Sequence, residues 1–124
     1  MKQISTPNAP AAIGPYCQAA EVNGFLFTSG QIPINPATGA IEADTIEAQT
    51  EQVMKNLKAV LEAAGTTPEA VVKTTCFLAN IEDFAAFNEV YAKTFTGKPA
   101  RSCVAVKDLP KGALVEVEVI AALN

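Results

Sequence analysis

Only two stretches of this sequence carry helical periodicity, and that limits the fold more than any other feature. DTIEAQTEQVMKNLKAVLEAAG, residues 44–65, places Ile46, Val53, Leu57, Val60, Leu61 and Ala64 at the spacing of one helix face. Asp44 with Glu47 three residues later is set for a capping box, and Gly65 for a C-terminal stop. The second run spans about Glu82 to Phe95, with Phe84, Phe87, Val90, Tyr91 and Phe95 as its buried stripe.

The remaining regular segments read as strands. YCQAAEV (16–22) and FLFTS (25–29) flank Asn23-Gly24, a pair that tolerates positive φ and signals a hairpin. Pro33, Pro36 and Gly39 mark a loop with a short strand around Ile32 to Ile34. VVKTTCFL (71–78) is β-branched and aromatic, as strands prefer. Arg101 to Val106 reads as a strand with Val104 and Val106 buried. Pro110 to Gly112 reads as a turn. In the last strand, 113–123, Val115, Val117 and Val119 face one way, and Glu116 and Glu118 the other, beside Ile120.

The predicted order is β-β-(β)-α-β-α-β-β, an α+β domain covering residues 1–124 with one sheet and two helices. Two helices cover one face of a sheet of five or six strands. An apolar second face is rarely left bare, so packing between copies is expected, with sites at the subunit boundary.

Composition narrows the chemistry. Asp and Glu number 13 against 9 Lys and Arg, and no basic run exists, which argues against nucleic acid as a partner. The absence of histidine removes Ser-His, Cys-His and His-metal arrangements. Cys17, Cys76 and Cys103 form no CxxC pair, so no metal site or disulfide framework is expected, and free thiols suit a reducing compartment. The N-terminal segment lacks the apolar run of a signal peptide, and no stretch is long enough to span a bilayer; a cytoplasmic location is the expectation.

Few polar candidates remain. Arg101 is either a carboxylate clamp or an arginine that is exposed or salt-bridged, to Glu116 or Glu118 on another strand, and pattern alone favours the latter. Glu116 and Glu118, two apart on a strand, read as a solvated face, or one of them as a half-buried proton shuttle. Tyr16 serves equally as a core cap or a ligand contact. Ser29-Gly30 ends a strand, where turn chemistry is the simpler account and a ligand carboxylate the other. Cys103 shares the strand face of Arg101, and without a histidine base it reads as apolar filler rather than nucleophile. No glycine-rich phosphate loop is present.

Six segments in order, AIGPYCQA (12–19), FTSGQIPINPATG (27–39), the helix ending AAG (63–65), VVKTTCFLANIEDFAAFNEVY (71–91), PARSCVAV (99–106) and LPKGALVEVEVIA (109–121), resemble the RidA/YjgF family of enamine/imine deaminases. The resemblance covers almost the whole chain. It implies a chorismate-mutase-like fold and a homotrimer with three intersubunit clefts. It implies hydrolysis of 2-iminobutanoate and 2-iminopropanoate to 2-keto acids and ammonia, with no cofactor or metal. These imines descend from enamines released by pyridoxal-phosphate enzymes acting on serine or threonine. By the same resemblance Arg101 holds the substrate carboxylate and Glu116 activates water. Tyr16, Ser29, Gly30 and Cys103 line the cleft, and Asn88 lies near it. The Arg101 face then reads as a cleft wall lacking helical cover. Regulatory and RNA-cleaving roles are also attached to the family. A ligand-sensing or protein-binding module is the alternative reading; acidity and the missing histidine argue against RNA cleavage.

Overall fold

The structure is a computed structural model and describes residues 1–123. Its elements in chain order are β1 (Lys2–Ile4), β2 (Ala19–Val22), β3 (Phe25–Thr28), β4 (Ile34–Asn35), β5 (Ala40–Ile41), α1 (Ile46–Ala63), β6 (Val71–Leu78), α2 (Phe84–Thr94), β7 (Ala100–Ala105) and β8 (Val115–Ala122). Six strands form one sheet in the order β1-β2-β3-β8-β6-β7, and β4 and β5 form a separate small hairpin. Among the described residues only β6 and β7 pair in parallel, joined by α2, the crossover that a parallel pair requires.

The α+β layout follows from the side-chain patterns. Asn23 (φ 51°) and Gly24 (φ 81°) make the β2–β3 turn, pairing Val22 with Phe25. In β8 the alternation is strict: Val115, Val117, Val119 and Ala121 are buried beneath the helices. α1 packs on both β8 and α2, so the two helices share one face of the sheet. At the end of α1, Gly65 takes φ 79° and Thr66 N–H donates to Leu61 O at 3.0 Å, closing the helix by a left-handed turn.

Several local expectations are corrected. Thr45, not Asp44, caps α1: its Oγ1 accepts from Ala48 N–H at 3.2 Å, which leaves Glu47 one position short of a capping box. β2 begins at Ala19, because residues 14–16 turn back on themselves and the Gln18 side chain bonds to the N-terminal arm instead. A 3-10 turn, Ile81–Asp83, precedes α2, and Phe84 sits on its exposed flank. Val104 is 47% exposed, since it lies on the face of β7 that no helix covers.

That uncovered face carries Phe25, Phe27, Val104 and Ile120 beside Glu116 and Glu118, and both phenylalanines are more than two-fifths exposed. Among the described residues no helix is long and apolar enough to cross a membrane.

Candidate active site

The sheet sorts the candidate residues into two groups. Glu116 lies opposite Phe77 in the antiparallel β8–β6 pair and alternates with buried Val115 and Val117, so it points to the uncovered face. Arg101 and Cys103 lie opposite Thr74 and Cys76 in the parallel pair, and both of those are fully buried under the helices. Arg101 therefore faces α2. The expectation that its strand face lacks helical cover is wrong, and an ion pair with Glu116 or Glu118 is ruled out by the sheet between them.

The first group surrounds a cleft of about 460 Å³ lined by Tyr16, Ser29, Gly30, Lys111 and Glu116. A bulge creates it. Phe27 faces Ile120 while Gln31 faces Val117, so four steps on one strand match three on the other. Where the ladder opens, Thr28 Oγ1 accepts the Val119 N–H at 3.0 Å. Gly30 stands at the bulge against Glu116, whose Cδ lies 2.8 Å from where a Cβ would be. Any larger residue would displace the carboxylate. Ser29 Oγ donates to Cys17 O at 2.6 Å, which ties the strand end to the segment bearing Tyr16.

Irregular chain walls this cleft, and three buried carboxamides hold it. Gln18 Nε2 donates to Thr6 O (3.0 Å) and Pro10 O (2.8 Å), and its Oε1 accepts from Thr6 N–H (2.7 Å). Asn56 Nδ2 donates to Ile32 O (3.2 Å) and Ile34 O (3.0 Å). Gln49 donates to Ala43 O (2.9 Å) and accepts from Leu114 N–H (2.8 Å), which secures the turn bearing Lys111. Sequence reasoning missed all three. The available signal was Gln49 and Asn56, seven apart, on the same stripe of α1 as Val53, where a polar side chain needs partners.

Glu116 is half-buried. Burial, and next the charge of Glu118, raise its pKa above the ordinary value, so it holds its proton more tightly than a surface glutamate. A carboxyl in that condition both takes and returns protons nearer neutrality.

The second group is built on α2. Arg101 Nη1 donates to Asn88 Oδ1 at 2.7 Å, and its Cζ lies 4.9 Å from the centroid of the Tyr91 ring and 5.4 Å from that of Phe84. These partners are all neutral, so the guanidinium keeps its charge for an anion. Cys103 packs beside Cys76. Burial pushes the Cys76 thiol up to about 12 and raises Cys103 as well, though Arg101 pulls the latter down. Both stay thiols at neutral pH, which suits lining rather than nucleophilic attack.

The structure thus gathers Tyr16, Ser29, Gly30 and Glu116 in one place and Arg101, Asn88 and Cys103 in another, on opposite sides of the sheet. Among the described residues no three His, Cys, Asp or Glu side chains converge as a metal site.

Comparison with known proteins places these features in context. The family model described as Endoribonuclease L-PSP matches residues 6–123. A Lactococcus lactis protein bearing the regulator name AldR is 59% identical, over 98% of this chain and 97% of its own. The 2-iminobutanoate/2-iminopropanoate deaminase of Escherichia coli K12 is 49% identical, over 97% and 96%. The crystal structure of E. coli TdcF with bound serine superposes with a TM-score of 0.94 at 43% identity, covering 100% of both chains. With this match along nearly its full length, the chain belongs to the Endoribonuclease L-PSP family, the YjgF/RidA family that its motifs resemble.

Proposed function

We propose that this protein hydrolyses small 2-imino acids such as 2-iminobutanoate and 2-iminopropanoate to 2-keto acids and ammonia. The observation that carries the proposal is Arg101, a half-buried guanidinium whose contacts are all neutral and whose remaining N–H groups suit a carboxylate. The E. coli relative named as an imine deaminase and the serine-bound TdcF structure support a carboxylate-bearing amino-acid-like substrate.

The two residue groups face apart within one chain, so the complete site is formed between copies, and a homotrimer with three clefts is the proposed assembly. The exposed phenylalanines of the uncovered face supply the apolar surface for that packing. Arg101 of one copy then holds the substrate carboxylate in the Glu116 cleft of another.

The chemistry needs only positioning and one proton shuttle. Water attacks the electrophilic carbon of the protonated imine as the Glu116 carboxylate takes one of its protons, leaving a neutral carbinolamine. Glu116 returns that proton to the nitrogen. The carbon–nitrogen bond breaks and ammonia leaves, while the remaining hydroxyl gives its proton to the Glu116 carboxylate and becomes the keto carbonyl; the departing ammonia carries that proton away as ammonium. Tyr16 and Ser29 border the space where this occurs. Pyridoxal-phosphate dehydratases acting on serine and threonine are the proposed source of the substrate.

The test is the decay of 2-iminobutanoate generated in situ. Arg101→Ala is expected to lower kcat/KM about 100-fold or more, the equivalent of roughly 3 kcal/mol of charged hydrogen bonding. A normal rate in that variant would reject Arg101 as the clamp. The regulator name of the 59% identical relative favours a second reading, a carboxylate-ligand sensor on the same cleft. Tight 2-keto acid binding by the intact protein, with imine decay at background, would establish that one instead.

A further inference from the structure

Phe84, Asn88 and Tyr91 stand at i, i+4 and i+7 on α2, one above another along a single helix face. The Arg101 guanidinium lies across all three. Asn88 accounts for one N–H, but a single hydrogen bond does not fix the plane of a guanidinium. The two rings do, because a cation within about 6 Å of an aromatic centroid is drawn to the ring face.

Tyr91 is itself immobilised. Its hydroxyl is 2.7 Å from Thr74 Oγ1, midway along β6, and both residues are buried. Its ring packs between Phe87 (centroids 5.5 Å) and Phe95 (4.8 Å). Burial also raises the Tyr91 phenol above its ordinary pKa, so no phenolate competes with a ligand for the arginine.

We infer that Tyr91, locked by Thr74, together with Phe84 forms an aromatic seat that aims the Arg101 fork at the substrate carboxylate. Tyr91, Phe84 and Thr74 are positioning residues for carboxylate recognition. This rests on Arg101 being the clamp, as proposed above. The seat gives Phe84, which keeps 37% of its surface exposed on the helix flank, a role beside packing.

The experiment measures KM for in situ 2-iminobutanoate and the competitive Ki of 2-oxobutanoate. Tyr91→Leu is expected to raise both about tenfold, within the range of a partly desolvated cation–π contact, with kcat changed far less. Thr74→Val and Tyr91→Phe keep the ring but free it, so each should raise Ki about threefold. Their combination should be no worse than either alone, the mark of a shared contact. Thr74→Ser, which retains the hydroxyl, should restore the parent value.

Simple structural damage would lower kcat through loss of active molecules and leave KM and Ki in place. Unchanged Ki in a folded Tyr91→Leu variant overturns the seat. If that variant does not fold, Phe84→Leu on the exposed flank decides, with unchanged Ki again overturning it. Arg101→Ala run in parallel separates the two claims. A large rise in Ki there with none in the seat variants rejects the seat alone. No rise in Arg101→Ala rejects the clamp and the seat with it.

Discussion

Around Glu116 the chain is irregular: loops tied back by three buried carboxamides, and a bulge held by the Thr28 and Ser29 hydroxyls. Around Arg101 it is regular: three side chains in a row on a helix, over an edge strand. The cleft can be re-shaped by changing single hydrogen bonds. The seat follows from helix geometry and yields most where a ring is removed, less where the Thr74–Tyr91 hydrogen bond is lost. The sheet separates the two, so no side-chain motion within a chain joins Glu116 and Arg101, and the proposed function requires assembly to do so.

The largest separation between the regions is expected from Glu116→Gln. Loss of the shuttle should lower kcat by about 10²- to 10⁴-fold while leaving 2-oxobutanoate binding to Arg101 nearly intact. Steady-state rates beside calorimetric binding check both halves. The parent protein adds a pH test. Glu116 must be ionised to accept a proton from water, and burial raises its pKa, so the rate should climb with pH through a limb above the ordinary value of 4.5. An acid limb at or below 4.5, or one that persists in Glu116→Gln, breaks the assignment.

Gly30→Ala comes next. The added methyl would overlap the Glu116 carboxylate, and displacing a reacting group by about 1 Å costs on the order of 10²-fold in rate. The kinetic loss should appear in kcat, with Ki for the 2-keto acid little changed. A fully active Gly30→Ala variant would mean that the carboxylate is not used in this position.

A smaller effect, on stability, is expected from Asn56→Leu. It leaves the Ile32 and Ile34 carbonyls without their buried donor, at about 2 kcal/mol, read as a lower urea midpoint. The α2 seat should be undisturbed.

The sheet-and-two-helix plan was legible because strong local signals agree with it: Asn23-Gly24, the α1 stripe, and the β8 alternation. Nothing in residues 98–106 told which side of the sheet Arg101 would take. Period-two alternation fixes which residues share a face, but only pairing with β6 says that the face is the helix side. The capping error at Asp44 had a similar source, since Thr45 offers an equivalent oxygen one residue later. The α1 stripe marks Gln49 and Asn56 as buried, but nothing in the sequence names their partners, which lie up to 65 residues away, and Gln18 has no such stripe. Glu116 was distinguished from Glu118 by family resemblance, and the bulge at Gly30, against Glu116, supplies the structural difference between them.

The central claim is that one cleft draws on two copies, Glu116 from one and Arg101 from another. Arg101→Ala and Glu116→Gln chains, each inactive alone, can be unfolded together in equal amounts and refolded as mixed oligomers. If the clefts are shared, about one in four combines an intact Glu116 with an intact Arg101, and about a quarter of the parent imine-hydrolysis rate should return. Mixed oligomers that remain as inactive as their parents would contradict the account.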